Sequence, residues 1–217
     1  MSYLSEKGLD LEQRKKFYFG LIEKYNLTIA VAEKFRNAFS ICEKVRNDDV
    51  IFGDAWEKGL SKRPTTRDIY EHTAVIPSQY VTPEALKIIN DKMLDPEQKT
   101  KFVTNDHLFS PQTMSYFVLD NWHEIFSENL DLFFKEMKMW STTILTTVKE
   151  NNILKKFTVN NKETGNRIKL KVKTQDRYKA AGITKLWAKD EGRYVDGFPF
   201  DLSEDFLKYE EDYLLIW

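Results

Sequence analysis

The sequence is poor in the residues that mark disulfide-bonded, thiol-dependent or membrane-spanning proteins. Cys42 is its only cysteine among 217 residues, which excludes an internal disulfide, a zinc site of several thiolates and a reactive thiol pair. Cys42 lies in an apolar helical stretch, so we expect it in a core. No segment approaches the roughly 20 apolar residues of a membrane span, and the N-terminus lacks the apolar segment of a signal peptide. Together these features predict a cytoplasmic protein without a membrane partner.

Net charge is also nearly absent, with 33 basic and 34 acidic residues, and this excludes a uniformly basic surface of the kind that coats nucleic acid. The charges are nevertheless segregated along the chain. Residues 149–189 carry twelve basic and three acidic side chains, a net charge of +9, and residues 190–217 carry two and nine, a net charge of −7. Two interpretations stay open: the basic segment faces a polyphosphate backbone, or the two segments neutralise each other within the fold.

The chain does contain enough apolar residues for a core, with 41% hydrophobic and 14% aromatic side chains. Helical spacing and capping signals predict helices at 11–25, from Thr28 to near Arg46–Asp49, and at 50–60, 83–94, 111–126 and 128–140, with a short turn that starts at Asp95. The fold class predicted is α+β, predominantly helical with a small antiparallel β component. We expect an N-terminal helical region over residues 1–60 and an α+β region over 61–217, with a basic β-hairpin at 155–175 and an acidic C-terminal tail.

The basic hairpin has the clearest alternating pattern in the sequence. Its second strand places four cations on one face and apolar residues on the other; the cations are Arg167, Lys169, Lys171 and Lys173. Side chains on one face of a strand repeat at roughly 6.6 Å, so this row could follow a DNA backbone. The alternative is an edge strand that its lysines protect against aggregation.

The segment Asn105-Asp106-His107 places a carboxylate beside an imidazole at the end of a short apolar run. A phosphodiesterase with one metal ion needs such a pair, because the carboxylate can hold Mg²⁺ or Mn²⁺ and the neutral imidazole can take a proton from the attacking water. The alternative is a solvated loop histidine beside a turn-forming Asn-Asp. His72 is interpreted as a buried histidine, with a second active-site histidine as the alternative, and His123 is interpreted as a partly exposed helical histidine.

A second strand is predicted at 141–148, where β-branched residues are frequent. It leads into a helix that opens with a Thr147–Glu150 capping box followed by Asn151 and Asn152. If the two strands pair and the helix packs back across them, these asparagines come close to the Asp-His pair in a ββα arrangement. One carboxylate, one amide oxygen and water would suit Mg²⁺ or Mn²⁺. The two asparagines are equally good candidates, because neither belongs to the helix's apolar face.

This order of elements resembles the ββα-metal, or HNH, endonucleases. Residues 104–112, 146–151 and 178–183 are also similar to segments of predicted HNH-like proteins from tailed bacteriophages, which would place the chain in a host cytoplasm. The resemblance implies that His107 is the general base and Asp106 a metal ligand. It also implies that Asn151 is the helical asparagine of the site, with Asn152 the other candidate ligand, and that Lys155 faces the scissile phosphate. One departure is that residues 108–140, which are mostly predicted as helix, separate the strands, where the family has a short loop.

Three functions follow from these patterns. The first is a metal-dependent endonuclease that hydrolyses DNA phosphodiester bonds. The second is a non-enzymatic DNA-binding or phage assembly protein, to which the first two helices could contribute as a helix-turn-helix. The third is a structural protein whose acidic tail covers the basic strand. Residues 214–217 are apolar enough to be buried in a core or in a homodimer contact.

Overall fold

The computed structural model describes residues 10–47, 69, 76, 79–109, 111–161 and 167–213. They divide into two compact units: unit 1 comprises residues 1–74 and 110–141, and unit 2 comprises residues 75–109 and 142–217. The sequence-based boundary near residue 60 assigned residues 110–141 to the C-terminal region, whereas the structure groups them with the N-terminal helices. The predicted helix at 50–60, His72 and the apolar terminus at 214–217 lie outside the described residues.

The elements are numbered here in chain order. The helices are α1 (Leu11–Lys24), α2 (Ile29–Asn47), α3 (Pro83–Asn90), α4 (Pro96–Phe102), α5 (Pro111–Asp120), α6 (Leu130–Ser141), α7 (Val148–Leu154), α8 (Arg177–Ala180) and α9 (Glu204–Tyr213). The strands are β1 (Tyr80–Val81), β2 (Val103–His107), β3 (Thr143–Thr147), β4 (Thr158–Asn161), β5 (Arg167–Leu170), β6 (Lys185–Ala188) and β7 (Arg193–Asp196). A π-helical turn, Trp122–Phe126, follows α5. None of the helices in the described ranges is long and apolar enough to cross a membrane.

Unit 1 is helical, and its core is built from aromatic rings. Its first helix begins as predicted, because Asp10 and Gln13 exchange hydrogen bonds of 2.8 and 3.0 Å between side chain and backbone. Helix α2 then buries Phe39 against Trp122 and Phe133, with ring centroids 4.9 and 5.2 Å apart. The predicted core position of Cys42 is confirmed, since that residue is fully buried.

Unit 2 contains a five-stranded sheet with the order β2-β3-β1-β6-β7. Strands β1 and β3 are parallel and the other neighbours are antiparallel. Strands β4 and β5 form a separate antiparallel pair, as the sequence predicts. The α+β class is therefore confirmed, although the sequence did not predict β1, β6 or β7.

Several predicted boundaries change in unit 2. The helix predicted at 83–94 ends at Asn90, and helix α4 extends to Phe102, directly before β2. The acidic tail forms a helix, α9. Strand β5 ends at Leu170, so Lys171 and Lys173 lie beyond the strand in which they were predicted.

Candidate active site

The Asp-His pair lies on an antiparallel strand pair followed at once by a helix. Asp106 is opposite Ile144 and His107 is opposite Thr143 in the β2–β3 ladder. Helix α7 begins at the residue after β3 and packs against both strands. The predicted pairing of the two strands and the packing of the helix across them are confirmed. Residues 110–141, which separate the strands in sequence, belong to unit 1.

The start of α7 is fixed by hydrogen bonds that the sequence encodes locally. Glu150 Oε2 accepts from the Thr147 backbone N–H at 2.8 Å, and Thr147 Oγ1 accepts from the Glu150 N–H at 3.1 Å. Glu150 Oε2 also accepts from the Thr82 hydroxyl at 2.8 Å. Because Thr82 caps α3 and its backbone N–H bonds to Leu145 in β3, the capping box joins α7 to the neighbouring strand and helix. The first turn of α7 is therefore held in one position.

The Asp106 carboxylate is buried and bound by two side chains from the start of α8. Arg177 Nη2 forms an ion pair with Oδ2, and the Tyr178 hydroxyl donates to the same oxygen at 2.6 Å. Burial raises the pKa of Asp106, and the Arg177 guanidinium and the Tyr178 hydroxyl act in the opposite direction. Burial and the adjacent Asp106 also raise the pKa of Tyr178, so its hydroxyl keeps its proton and acts as a donor. Asp106 is thus the acceptor at the centre of a buried polar cluster.

His107 is the next residue on the strand, and its side chain therefore points to the opposite face from that of Asp106. It is half-buried, and its Nδ1 atom is buried without a hydrogen-bond partner among the described residues. Burial lowers the pKa of His107. The Asp106 carboxylate raises this pKa, and the positive charge of Arg177 lowers it further. The imidazole is consequently neutral at neutral pH, which is the form that accepts a proton.

The structure distinguishes the two asparagines that the sequence left equivalent. Asn151 is buried, and its Oδ1 atom has no hydrogen-bond partner within the described part of the chain, whereas Asn152 is exposed. Lys155 lies four residues after Asn151, which places both on one face of the helical turn. The positive charge of Lys155 acts to lower the pKa of Asp106.

Unsatisfied polar atoms in unit 2 are concentrated in this region. Buried polar atoms almost always have partners in native proteins, and each exception requires an explanation. In the described part of unit 2, four side-chain atoms are buried without a partner: His107 Nδ1, Asn151 Oδ1, Arg177 Nε and Glu210 Oε2. His107 belongs to the Asp-His pair, Asn151 to the helix α7 that packs against the two strands, and Arg177 to the Asp106 cluster. The fourth belongs to the residue that holds the turn before α8. The open hydrogen-bonding capacity of unit 2 is therefore at the predicted site.

The donors around Asp106 do not fit a divalent cation. Oδ2 already accepts from Arg177 and Tyr178, and a guanidinium beside a carboxylate opposes the approach of a second positive charge. Across the ranges that the structure describes, no three His, Cys, Asp or Glu side chains group as metal ligands. Asn151 Oδ1 suits Mg²⁺ or Mn²⁺ chemically, but it is a single neutral oxygen. Asn152, the other predicted ligand, faces solvent.

The predicted row of phosphate-binding cations is only partly described. Arg167 and Lys169 lie on β5, but their side chains are outside the described structure. Lys171 is exposed, and Lys173 is half-buried with its charge acting on Glu210 of α9. The acidic helix α9 lies against β5. This contact agrees with the interpretation in which acidic and basic segments meet within the fold.

The sequence did not indicate a role for Arg177 or Tyr178. They lie 71 and 72 residues from Asp106, and nothing local to either segment predicts the contact. A weaker signal was present, because residues 178–183 were part of the resemblance to phage proteins. The turn ends at Gly182, whose φ of +82° favours glycine, and the Ile183 N–H then bonds to the Tyr178 carbonyl at 2.8 Å.

Comparisons with known proteins provide no relative for this chain. No family model matches it, and no curated protein or solved structure matches it. The resemblance to HNH endonucleases therefore stays a prediction, and a function has to be inferred from the site itself.

Proposed function

We propose that this protein is an endonuclease that hydrolyses DNA phosphodiester bonds with His107 as general base. Two observations support the proposal: a neutral, half-buried imidazole at the end of β2, and the unsatisfied Asn151 Oδ1 on the helix that packs against the β2–β3 pair. The proposed site residues are His107, Asn151 and Lys155. HNH endonucleases have a similar order of strand, strand and helix, which supports the choice of substrate class.

The chemistry needs three contributions from this chain. His107 takes a proton from water as the water oxygen bonds to phosphorus and the backbone P–O bond breaks; the leaving alkoxide takes a proton from solvent. Asn151 Oδ1 can accept a hydrogen bond from the attacking water and so orient it. Lys155 is exposed and can approach a phosphate oxygen. Asp106 has no direct role in this scheme, because its carboxylate is bound to Arg177 and Tyr178.

Cleavage of supercoiled plasmid and of single-stranded DNA tests the proposal. The wild-type protein and His107→Ala would be compared with Mg²⁺, with Mn²⁺ and with EDTA. Loss of a general base typically costs about 10²- to 10⁴-fold in rate, and we expect a loss of that size for His107→Ala. Rates with and without each ion measure any requirement for a metal independently of the assignment of His107.

A matched control comes from a histidine in unit 1. His123 is exposed on the π-helical turn, so His123→Ala should cleave at the wild-type rate. A second pair compares neighbours on one helix: Asn151→Ala should slow cleavage, and Asn152→Ala should not. Equal rates for wild type and His107→Ala would remove the proposed base.

A second candidate function is DNA binding without cleavage. It is favoured by the exposed lysines that precede and follow the β4–β5 pair, namely Lys155, Lys156 and Lys171. Such binding would weaken steeply with salt and would be unchanged in His107→Ala. Salt-dependent binding without strand cleavage under any of the three ionic conditions would select this function over the first.

A further inference from the structure

The guanidinium of Arg177 joins the side chain of Asp106 to the main chain of His107. Its Nη2 atom donates to Asp106 Oδ2 and also to the His107 carbonyl oxygen, the latter at 2.6 Å. Arg177 and Asp106 are both more than nine-tenths buried. A buried nitrogen that bonds two consecutive residues fixes the end of β2 more tightly than the strand ladder alone, because it constrains both the carboxylate and the carbonyl.

Tyr178 provides a second hydrogen bond to the Asp106 carboxylate. Its hydroxyl donates to Asp106 Oδ2 at 2.6 Å, and its ring is buried with the guanidinium 5.4 Å from its centroid. Asp106 Oδ2 thus accepts from two consecutive residues of α8. Charge-assisted hydrogen bonds of this kind are about twice as strong as neutral ones, and burial of both charges requires that their geometry be kept.

The turn that supplies Arg177 is itself held by α9. The Thr174 backbone N–H donates to Glu210 Oε1 at 2.8 Å, and the Thr174 hydroxyl donates to the same atom. Glu210 is fully buried, and burial raises its pKa. The acidic tail therefore has a defined structural role, since one of its carboxyl groups anchors the segment that leads into α8.

From these contacts we infer that Arg177 and Tyr178 are positioning residues for His107, and that Asp106 is the anchor that holds Arg177 against the His107 carbonyl. This inference rests on the proposed function and deepens it. It gives the acidic member of the Asp-His pair the task of orienting the end of the strand rather than of binding a metal. Tyr178 acts through Asp106, and Asp106 acts through Arg177.

The ¹³C chemical shift of the His107 carbonyl tests this chain of contacts without any DNA. That shift responds to the loss of a hydrogen bond at the carbonyl oxygen. It would be measured in wild type, Arg177→Met, Asp106→Asn and Tyr178→Phe. We expect the largest change in Arg177→Met and smaller changes in the same direction in the other two. Tyr194→Phe is the matched control, because it removes the same hydroxyl group from a tyrosine that is 46% exposed on β7. We expect it to leave the His107 carbonyl shift at the wild-type value.

Cleavage kinetics supply the second readout. Tyr178→Phe should lower kcat by roughly tenfold with KM unchanged, as expected when the group that acts in the transition state is displaced but substrate binding is kept. If Arg177→Met does not fold, the other two variants carry the test, since both keep the side-chain volume. A carbonyl shift that changes in Arg177→Met and stays at the wild-type value in both Asp106→Asn and Tyr178→Phe would overturn the inference. A shared change in all three variants, with no cleavage by wild type, would uphold the contacts and reject the nuclease.

Discussion

The two units differ in one buried contact, although both bury apolar and polar side chains. Unit 1 has a core of aromatic rings in edge-to-face contact. The ring centroid of Phe133 lies 5.2 Å from that of Phe39 and 6.1 Å from that of Phe126. Unit 2 also has aromatic contacts, but at the end of β2 it buries the ion pair of Asp106 with Arg177. An apolar core tolerates the exchange of one apolar side chain for another of similar volume, and its burial stabilises the fold directly. A buried ion pair contributes little net stability and requires a fixed geometry. We therefore expect unit 1 to be most sensitive to loss of apolar volume, and the end of β2 in unit 2 to be most sensitive to loss of a charged or hydrogen-bonding partner.

The largest effect is expected from a cavity in the aromatic core of unit 1. Phe133 is fully buried, so Phe133→Ala should lower the free energy of unfolding by about 3–5 kcal/mol. Hydrogen exchange of the α2 and α6 amides measures that loss. The matched control is Phe19→Ala, because Phe19 is 51% exposed on α1 and its removal should cost less than about 0.5 kcal/mol. Equal costs at the two positions would contradict the assignment of the ring cluster as the source of stability.

A smaller effect distinguishes unit 2 by its response to acid. Burial lowers the pKa of His107 from 6.5 in the folded state, so below about pH 6.5 the unfolded chain binds a proton that the folded chain does not. Stability contributed by the neutral imidazole is therefore present above that pH and is lost as the pH falls toward the folded pKa, at a slope of at most about 1.4 kcal/mol per pH unit. Hydrogen exchange of the β2 and β3 amides at pH 7 and pH 5.5 measures this loss of stability.

His107→Gln supplies the control for this loss. Asp106 and Glu210 have raised pKa values, so their contribution has the opposite sign and falls as the pH rises through the folded-state values. Only the His107 contribution should disappear in His107→Gln. A difference between wild type and variant that does not change with pH would mean that the imidazole titrates as it does in water.

Local signals in the sequence predicted much of the fold. The capping pairs Asp10–Gln13 and Thr147–Glu150 lie three residues apart, and both form as predicted. The same kind of signal was present at Asp95-Pro96, which caps α4, although we predicted only a turn there. These features could be recognised because each hydrogen bond closes within one helical turn.

Contacts that are distant in sequence could not be predicted in the same way. Strand β1 has only two residues, Tyr80 and Val81, and exists because β3 and β6 pair with it. The partners of Asp106 come from α8, and the Asp-His pair by itself suggests a metal ligand as readily as an ion pair. The choice between Asn151 and Asn152 likewise depends on how α7 packs against the strands. The sequence therefore indicated the residues of the proposed site and could not indicate how the charges around Asp106 are paired.

The most direct measurement of the central claim follows the ring signals of His107 and the side-chain amide signals of Asn151 while a short DNA duplex is added. If DNA occupies this site, both sets of signals should shift to saturation and return as salt is raised, and those of His123 in unit 1 should stay in place. DNA binding that shifts other signals and leaves those of His107 and Asn151 unchanged would contradict the account.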